Sequence, residues 1–198
     1  ENDDKNASQD STIYAGMGIK KNKTDLPGTL GAIITFEKDN GFYLISNRHV
    51  IMENSTINTP IYNENNIKIA ESKWGKFDRT HDVAIARLIS DKIKKGTDTY
   101  QFGKIIPPSF KMKSNSFTTI SINGPSIGGK IYSIRAIVKV RNVIFKDQIL
   151  FKDFDLDTGD SGAIIVLGGK QKRDVVGICI GGDDRIDVAY KLSNLFIN

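Results

Sequence analysis

From Ile13 onward the apolar residues come in short runs separated by Gly, Pro, Asn and Asp turns. Leu30 to Phe36, Phe42 to Ser46, Ile67 to Ala70, Val83 to Leu88 and Phe117 to Ile122 follow this pattern, as do Ile131 to Val140, Ile149 to Phe151, Ala163 to Leu167, Val175 to Ile180 and Val188 to Leu192. The runs are rich in Ile, Val, Phe and Tyr, which suit a pleated, half-buried surface. Sustained 3.6-residue periodicity is weak. The pattern therefore predicts a mainly β chain, and strands at this spacing make a sandwich or a barrel. Lys38-Asp39-Asn40-Gly41 and Leu167-Gly168-Gly169-Lys170 stand where hairpin turns belong. Residues 1–12 hold one alanine and no other apolar side chain, so they predict a flexible tail. The pattern breaks again around Pro107-Pro108, where proline restricts its own backbone and that of the residue before it. This predicts a connector over 103–115 between halves at 13–102 and 116–198, with a short helical turn in the last residues from Ser193.

Composition narrows the picture. At 198 residues and 39% hydrophobic content the chain can bury one sizeable core or two small ones sharing an interface. The single cysteine, Cys179, rules out an intrachain disulfide and points to a reducing compartment such as the cytoplasm, although many secreted bacterial proteins also lack disulfides. No run approaches the length of a membrane span, and no basic-then-apolar leader is present, so no membrane role is expected. A start at Glu1 rather than Met is expected of an excised domain or a mature form. The net charge of +5 and pI near 9.2 raise nucleic acid as a partner. The clusters Lys20-Lys21 with Lys23, Lys92 with Lys94-Lys95, and Lys170 with Lys172-Arg173 are short and sit beside turn residues, which favours solvated loop tips. Two histidines and one cysteine do not assemble a metal-ligand set, so neither metal nor organic cofactor is expected.

Three segments carry candidate chemistry. Thr158-Gly159-Asp160-Ser161-Gly162 runs directly into Ala163-Ile164-Ile165-Val166-Leu167. A serine hydroxyl is a poor nucleophile, so a hydrolytic site must present it on a tight turn and supply donors for the oxyanion that develops. Flanking glycines permit that turn; a plain surface turn between strands uses the same residues. Leu44-Ile45-Ser46-Asn47-Arg48-His49-Val50-Ile51 reads as a strand delivering His49 at its end, where a histidine serves either as a base or as a hydrogen-bonded structural residue. Thr80-His81-Asp82-Val83-Ala84 puts an aspartate before an alternating apolar strand, as a turn cap or as the carboxylate that fixes an imidazole tautomer. His81 is a poor match for Asp82, its immediate neighbour, so His49 is the candidate base.

The order His49, Asp82, Ser161, on Ser46-Asn47-Arg48-His49-Val50, His81-Asp82-Val83-Ala84 and Gly159-Asp160-Ser161-Gly162, resembles the trypsin-like, chymotrypsin-fold serine peptidases, and the short separations look like the compact microbial members. The resemblance implies an all-β fold of two packed antiparallel six-stranded barrels with the site in the cleft between them. It implies a His49/Asp82/Ser161 triad, with the backbone N–H groups of Gly159 and Ser161 as oxyanion hole. Gly177-Ile178-Cys179-Ile180-Gly181-Gly182 resembles the substrate-pairing strand, which assigns Ile180, Gly181 and Gly182 to substrate binding. Asp155 falls where a pocket-floor carboxylate selects Arg or Lys, and Asp183, Asp184 and Asp187 follow the glycine wall. Asp160 is expected to be satisfied internally, without insertion of a chain terminus. Protein or peptide substrates follow as partners, with regulatory domains or partner proteins conceivable. The alternative is a catalytically silent or partner-activated binding module on the same scaffold.

Overall fold

The computed structural model describes residues 12–36, 39–52, 54, 56–89, 102–168, 173–182 and 186–195. Most of the residue 1–12 tail, the Lys92–Lys95 cluster, Asp183, Asp184 and parts of both expected hairpin turns lie outside them. The first half folds into β1 (Gly18–Lys20), β2 (Gly28–Thr29), β3 (Ala32–Phe36), β4 (Asp39–Ser46), a one-turn helix α1 (Arg48–Ile51), β5 (Pro60–Asn63), β6 (Lys68–Phe77) and β7 (Asp82–Leu88). These strands form one sheet in the order β2-β1-β5-β6-β7-β4-β3. Because β2 runs into β3 through Leu30-Gly31, the two ends of the sheet are one stretch of chain. The sheet therefore curls on itself.

The second half contributes β8 (Phe102–Ile105), a 3₁₀ turn at Phe110–Met112, β9 (Phe117–Ser121), the long hairpin β10 (Gly124–Val140) and β11 (Val143–Lys152), β12 (Ile164–Leu167), β13 (Arg173–Gly182), β14 (Asp187–Lys191) and a 3₁₀ turn at Leu192–Leu195. Their order is β12-β9-β10-β11-β14-β13-β8, and β12 also pairs with β13, which closes six antiparallel strands into a barrel. The seventh, β8, lies outside that closure and runs parallel to β13. The start of the expected connector is thus strand. The two curled all-β sheets match the expected two-barrel class.

Alternation places the core. On β7, Ala84, Ala86 and Leu88 point into the first barrel, while Val83 and Ile85 point out of it into a second cluster shared with the other sheet. On β12 and β13, Ile165, Val176 and Cys179 fill the second barrel, and Ile164, Val166, Val175, Ile178 and Ile180 face the shared cluster. Both faces of these strands are therefore apolar, as a strand buried on two sides requires. Each fully buried Ile or Val contributes roughly 1.5–3 kcal/mol, so the shared cluster holds the two sheets in fixed relation.

Four strands have no counterpart among the sequence-predicted runs: β1, β2, β5 and β8. Each is two to four residues long, too short for alternation to register. The strand expected to carry His49 ends at Ser46, and His49 sits instead on α1.

The loop before β7 ties the sheets together by polar contacts as well. Arg79 O accepts from the Lys146 amide at 2.5 Å, and Thr80 O accepts from Gln148 Nε2 at 3.0 Å. Asp78 organises this loop: its Oδ1 takes the amides of Thr80 and His81 and the Thr80 hydroxyl, and lies 2.8 Å from His81 Nδ1. Burial of Asp78 opposes its charge, but the bonds from His81 and Thr80 outweigh that cost and hold its carboxyl well below the usual carboxylate range. A carboxyl depressed on folding stabilises the native state above its unfolded pKa, and that contribution is lost as pH falls through the folded value. Asp78→Asn is therefore expected to unfold at lower denaturant than the parent at neutral pH. The gap should close progressively below about pH 4, as read by urea melts across pH.

Candidate active site

Asp82 is the first residue of β7 and is 1% exposed. Its Oδ2 lies 2.5 Å from His49 Nδ1, and its Oδ1 accepts from the His49 amide at 3.2 Å. One buried carboxylate thus grips both the ring and the backbone of the histidine. The helix turn itself is fixed by Asn47, which donates from Nδ2 to Asp82 O at 2.7 Å, and by Lys21, which donates to His49 O at 3.2 Å. The His49 side chain is 31% exposed, so the rest of the ring faces outward. His81, by contrast, is taken up by Asp78 and Thr80 and has no part in this arrangement.

Ser161 sits on a tight turn late in the segment that joins β11 to β12. Gly159 and Gly162 both adopt left-handed backbone, at φ of +102° and +95°. A Cβ at Gly162 would overlap Ser46 Oγ and Thr29 O, so only glycine allows this approach to the first sheet. Asp160 is buried, and its carboxylate is satisfied within the chain: Oδ1 accepts from Asn123 Nδ2 at 2.9 Å and Oδ2 from the Asp157 amide at 2.7 Å. The neighbouring amides of Asp160, Gly162 and Ala163 donate to Asp157 O, Cys179 O and Asp160 O. Among the described residues the amides of Gly159 and Ser161 donate to nothing. Two undonated N–H groups beside a hydroxyl are what a developing oxyanion needs.

Thr29 ties this turn to the first sheet. Its amide donates to Ser161 O at 2.8 Å and its hydroxyl donates to Gly159 O at 2.8 Å while accepting from the Ile122 amide at 3.2 Å. Ser46 Oγ, one strand away and three residues before His49, donates to Thr29 O at 2.7 Å. Gly28 completes the contact: a Cβ there would stand 2.6 Å from Val50 Cγ2 and 3.1 Å from Ser161 O. The turn bearing Ser161 and the helix bearing His49 therefore both pack closely against Gly28. Ser161 Oγ donates to Ile180 O at 3.1 Å rather than to His49.

A cavity of about 590 Å³ opens beside Ser161. Gly159, Ile180, Gly181 and Gly182 line it, together with Asp157, Lys139 and Arg141. Asp155 does not: it is exposed, and its amide donates to Ser126 Oγ at 3.1 Å. Asp187 is buried against Gly182, whose Cβ would lie 2.5 Å from Asp187 Oδ1, and it too is outside the lining. Cys179 in the same wall is buried, and its thiol is pushed well above its ordinary pKa, chiefly by burial and then by Asp187 and Asp160. Sequence reasoning missed Thr29, Asn123, Lys139 and Arg141. Thr29 and Asn123 work through contacts distant in sequence, and the two cations alternate along strand and turn instead of forming a run. Among the described residues no group of His, Cys, Asp and Glu could hold a metal ion.

No family model and no curated relative matches the sequence. Solved structures do match the fold. Protease A of Thermobifida fusca superposes with a TM-score of 0.70 at 14% identity, over 93% of this chain and 94% of that one. A glutamic acid-specific serine protease that uses a histidine triad in substrate binding gives 0.70 at 11% identity, over 92% and 95%. The Nocardiopsis protease NAPase gives 0.69 at 13% identity, over 93% and 95%. The fold of this chain is that of the bacterial chymotrypsin-fold serine proteases. Since Thr29 Oγ1 bridges two groups, Thr29→Val should leave the Gly159 carbonyl and Ile122 amide unpaired and cost about 1–3 kcal/mol in unfolding free energy. Thr29→Ser should recover most of it, and equal stability of all three chains would contradict the bridging role.

Proposed function

We propose that this chain is a serine endopeptidase that cleaves protein or peptide substrates through an acyl-enzyme at Ser161. The observation that supports it most is the 2.5 Å contact between Asp82 and His49 Nδ1. A buried carboxylate there holds the proton on Nδ1 and leaves Nε2 as the basic nitrogen. Ser161 Oγ then turns from Ile180 O toward His49 and gives Nε2 its proton as it attacks the scissile carbonyl carbon. The amides of Gly159 and Ser161 stabilise the oxyanion, and His49 returns the proton to the leaving amine as the C–N bond breaks. Water, deprotonated by His49, releases the acyl group by the same steps. The chain's own donors suffice, with no metal or organic cofactor in any step.

Substrate backbone is assigned to Ile180, Gly181 and Gly182, where the glycines leave room for it. Selection of the side chain before the scissile bond is assigned to the cavity lining rather than to Asp155. Asp157 there is opposed by Lys139 and Arg141, and two cations disfavour Arg or Lys as the occupant. The likeness to a glutamic acid-specific protease is compatible with such a pocket, although this chain has only two histidines. A second reading, a silent or partner-activated module, draws on the Ser161 Oγ to Ile180 O bond, which leaves the hydroxyl turned from its base. Turnover by the isolated chain separates the two.

The isolated chain is expected to hydrolyse an unfolded protein substrate, and Ser161→Ala, His49→Ala and Asp82→Asn should each lower kcat by about 10³-fold or more while retaining native circular dichroism. Undiminished hydrolysis in any of them would contradict the assignment. Cleavage of a mixed peptide library should give a profile not dominated by Arg or Lys, and Asp155→Ser should leave it unaltered. A basic profile that collapses in Asp155→Ser would restore that residue to the pocket.

A further inference from the structure

The hairpin of β10 and β11 carries a charge that nothing in the proposed reaction uses. Residues 124–152 contain Lys130, Arg135, Lys139, Arg141, Lys146 and Lys152 against the single carboxylate of Asp147, a net of +5. The whole chain also stands at +5, with 28 Lys and Arg against 23 Asp and Glu, so the rest of the sequence balances at 22 of each. All six cations are exposed. Asp147 is already engaged by Lys191 and Asn194. Among the described residues none of the six cations forms an ion pair with a carboxylate.

The arrangement works against the hairpin's own stability. Lys130 and Lys152 are directly opposed across the ladder, where like charges repel, and the Lys152 ammonium lies 3.9 Å from the centre of the Tyr132 ring. Between the cations the same outer surface exposes apolar side chains: Tyr132 at 50%, Ile137 at 70% and Ile144 at 51%. At one end of this ribbon Lys139 and Arg141 line the cavity beside Ser161. From Lys139 to Lys130 the strand runs on for about 30 Å, the length of nine or ten extended residues.

We infer that the outer face of the β10–β11 hairpin is a docking surface for an acidic segment of the polypeptide substrate, leading from the cavity at Ser161 along the hairpin toward Lys130 and Lys152. This rests on the peptidase reading above. An extended acidic chain with interspersed apolar residues matches the surface in charge, in alternation and in its continuity with the cavity. Recognition at a distance from the bond to be cut lowers KM for acidic proteins and steers their encounter, with marked dependence on salt.

The test uses the full chain as Ser161→Ala, so that binding is read without cleavage. A fluorescent twelve-residue peptide rich in Asp, Glu and Leu is compared by anisotropy with its Asn/Gln counterpart. The acidic peptide should bind on the order of tenfold more tightly at low salt. Adding Lys130→Gln, Arg135→Gln, Lys139→Gln and Lys152→Gln should abolish the preference at a melting temperature no lower than that of the parent, since the repulsion between Lys130 and Lys152 goes with them. Four neutralisations elsewhere, Lys68→Gln, Lys73→Gln, Lys104→Gln and Lys113→Gln, should preserve it. Equal binding of the two peptides, or a preference that survives the hairpin substitutions, would overturn the inference. So would tighter binding of duplex DNA, single-stranded RNA or phosphatidylserine vesicles than of the acidic peptide through the same four residues. Since Ser161 is absent throughout, failure of the peptidase reading shows as absent hydrolysis in the parent chain and leaves these binding outcomes unaffected.

Discussion

The candidate site depends on one buried threonine at the boundary between two sheets. The amide, carbonyl and hydroxyl of Thr29 are all engaged, and three of the bonds reach the segment around Ser161 or the strand leading to His49. His49 and Asp82 belong to the first half of the chain and Ser161 to the second. No local sequence can set the distance between them. That distance is fixed by the register of Thr29 against Gly159 and Ser161, by the apolar cluster behind it, and by two glycines, Gly28 and Gly162, that let the backbones approach.

Seen from Thr29, the other features of the site fall into supporting layers. The Asp82 carboxylate holds His49 by ring and backbone together, so the helix turn cannot rotate without breaking both bonds. Asp160, the buried carboxylate next to Ser161, is paired by Asn123 and by the Asp157 amide. A buried charge left unpaired would cost several kcal/mol, so this pairing is a condition for the turn to exist. The Asp78 loop then braces β7, and hence Asp82, against β11.

Much of this was legible in the sequence. Ten apolar runs became strands because period-two alternation survives wherever one or both faces are buried, and the three segments carrying His49, Asp82 and Ser161 stand out in the sequence because each sets a polar residue beside an apolar run. The short strands, and the helix turn under His49, were not legible: Gly28–Thr29 and Gly18–Lys20 are strands only because a partner lies alongside. Asp155 shows the limit of transferring a position by counting back from Ser161, since the chain between them runs outward at Asp155 and is pinned there by Ser126. The basic hairpin escaped notice for a related reason. Alternating cations never form a run, and they become a surface only when two strands pair.

In the proposed reaction Thr29 and its neighbours bring a nucleophilic serine to an oriented histidine. Fluorophosphonate labelling of the native chain, followed by peptide mapping of the adduct, tests that most directly because it reads activation of the hydroxyl without requiring the right substrate. A single adduct on Ser161, absent after denaturation and absent in His49→Ala, is the predicted result. A native chain that remains unlabelled, or that carries its adduct on another residue, would contradict the claim.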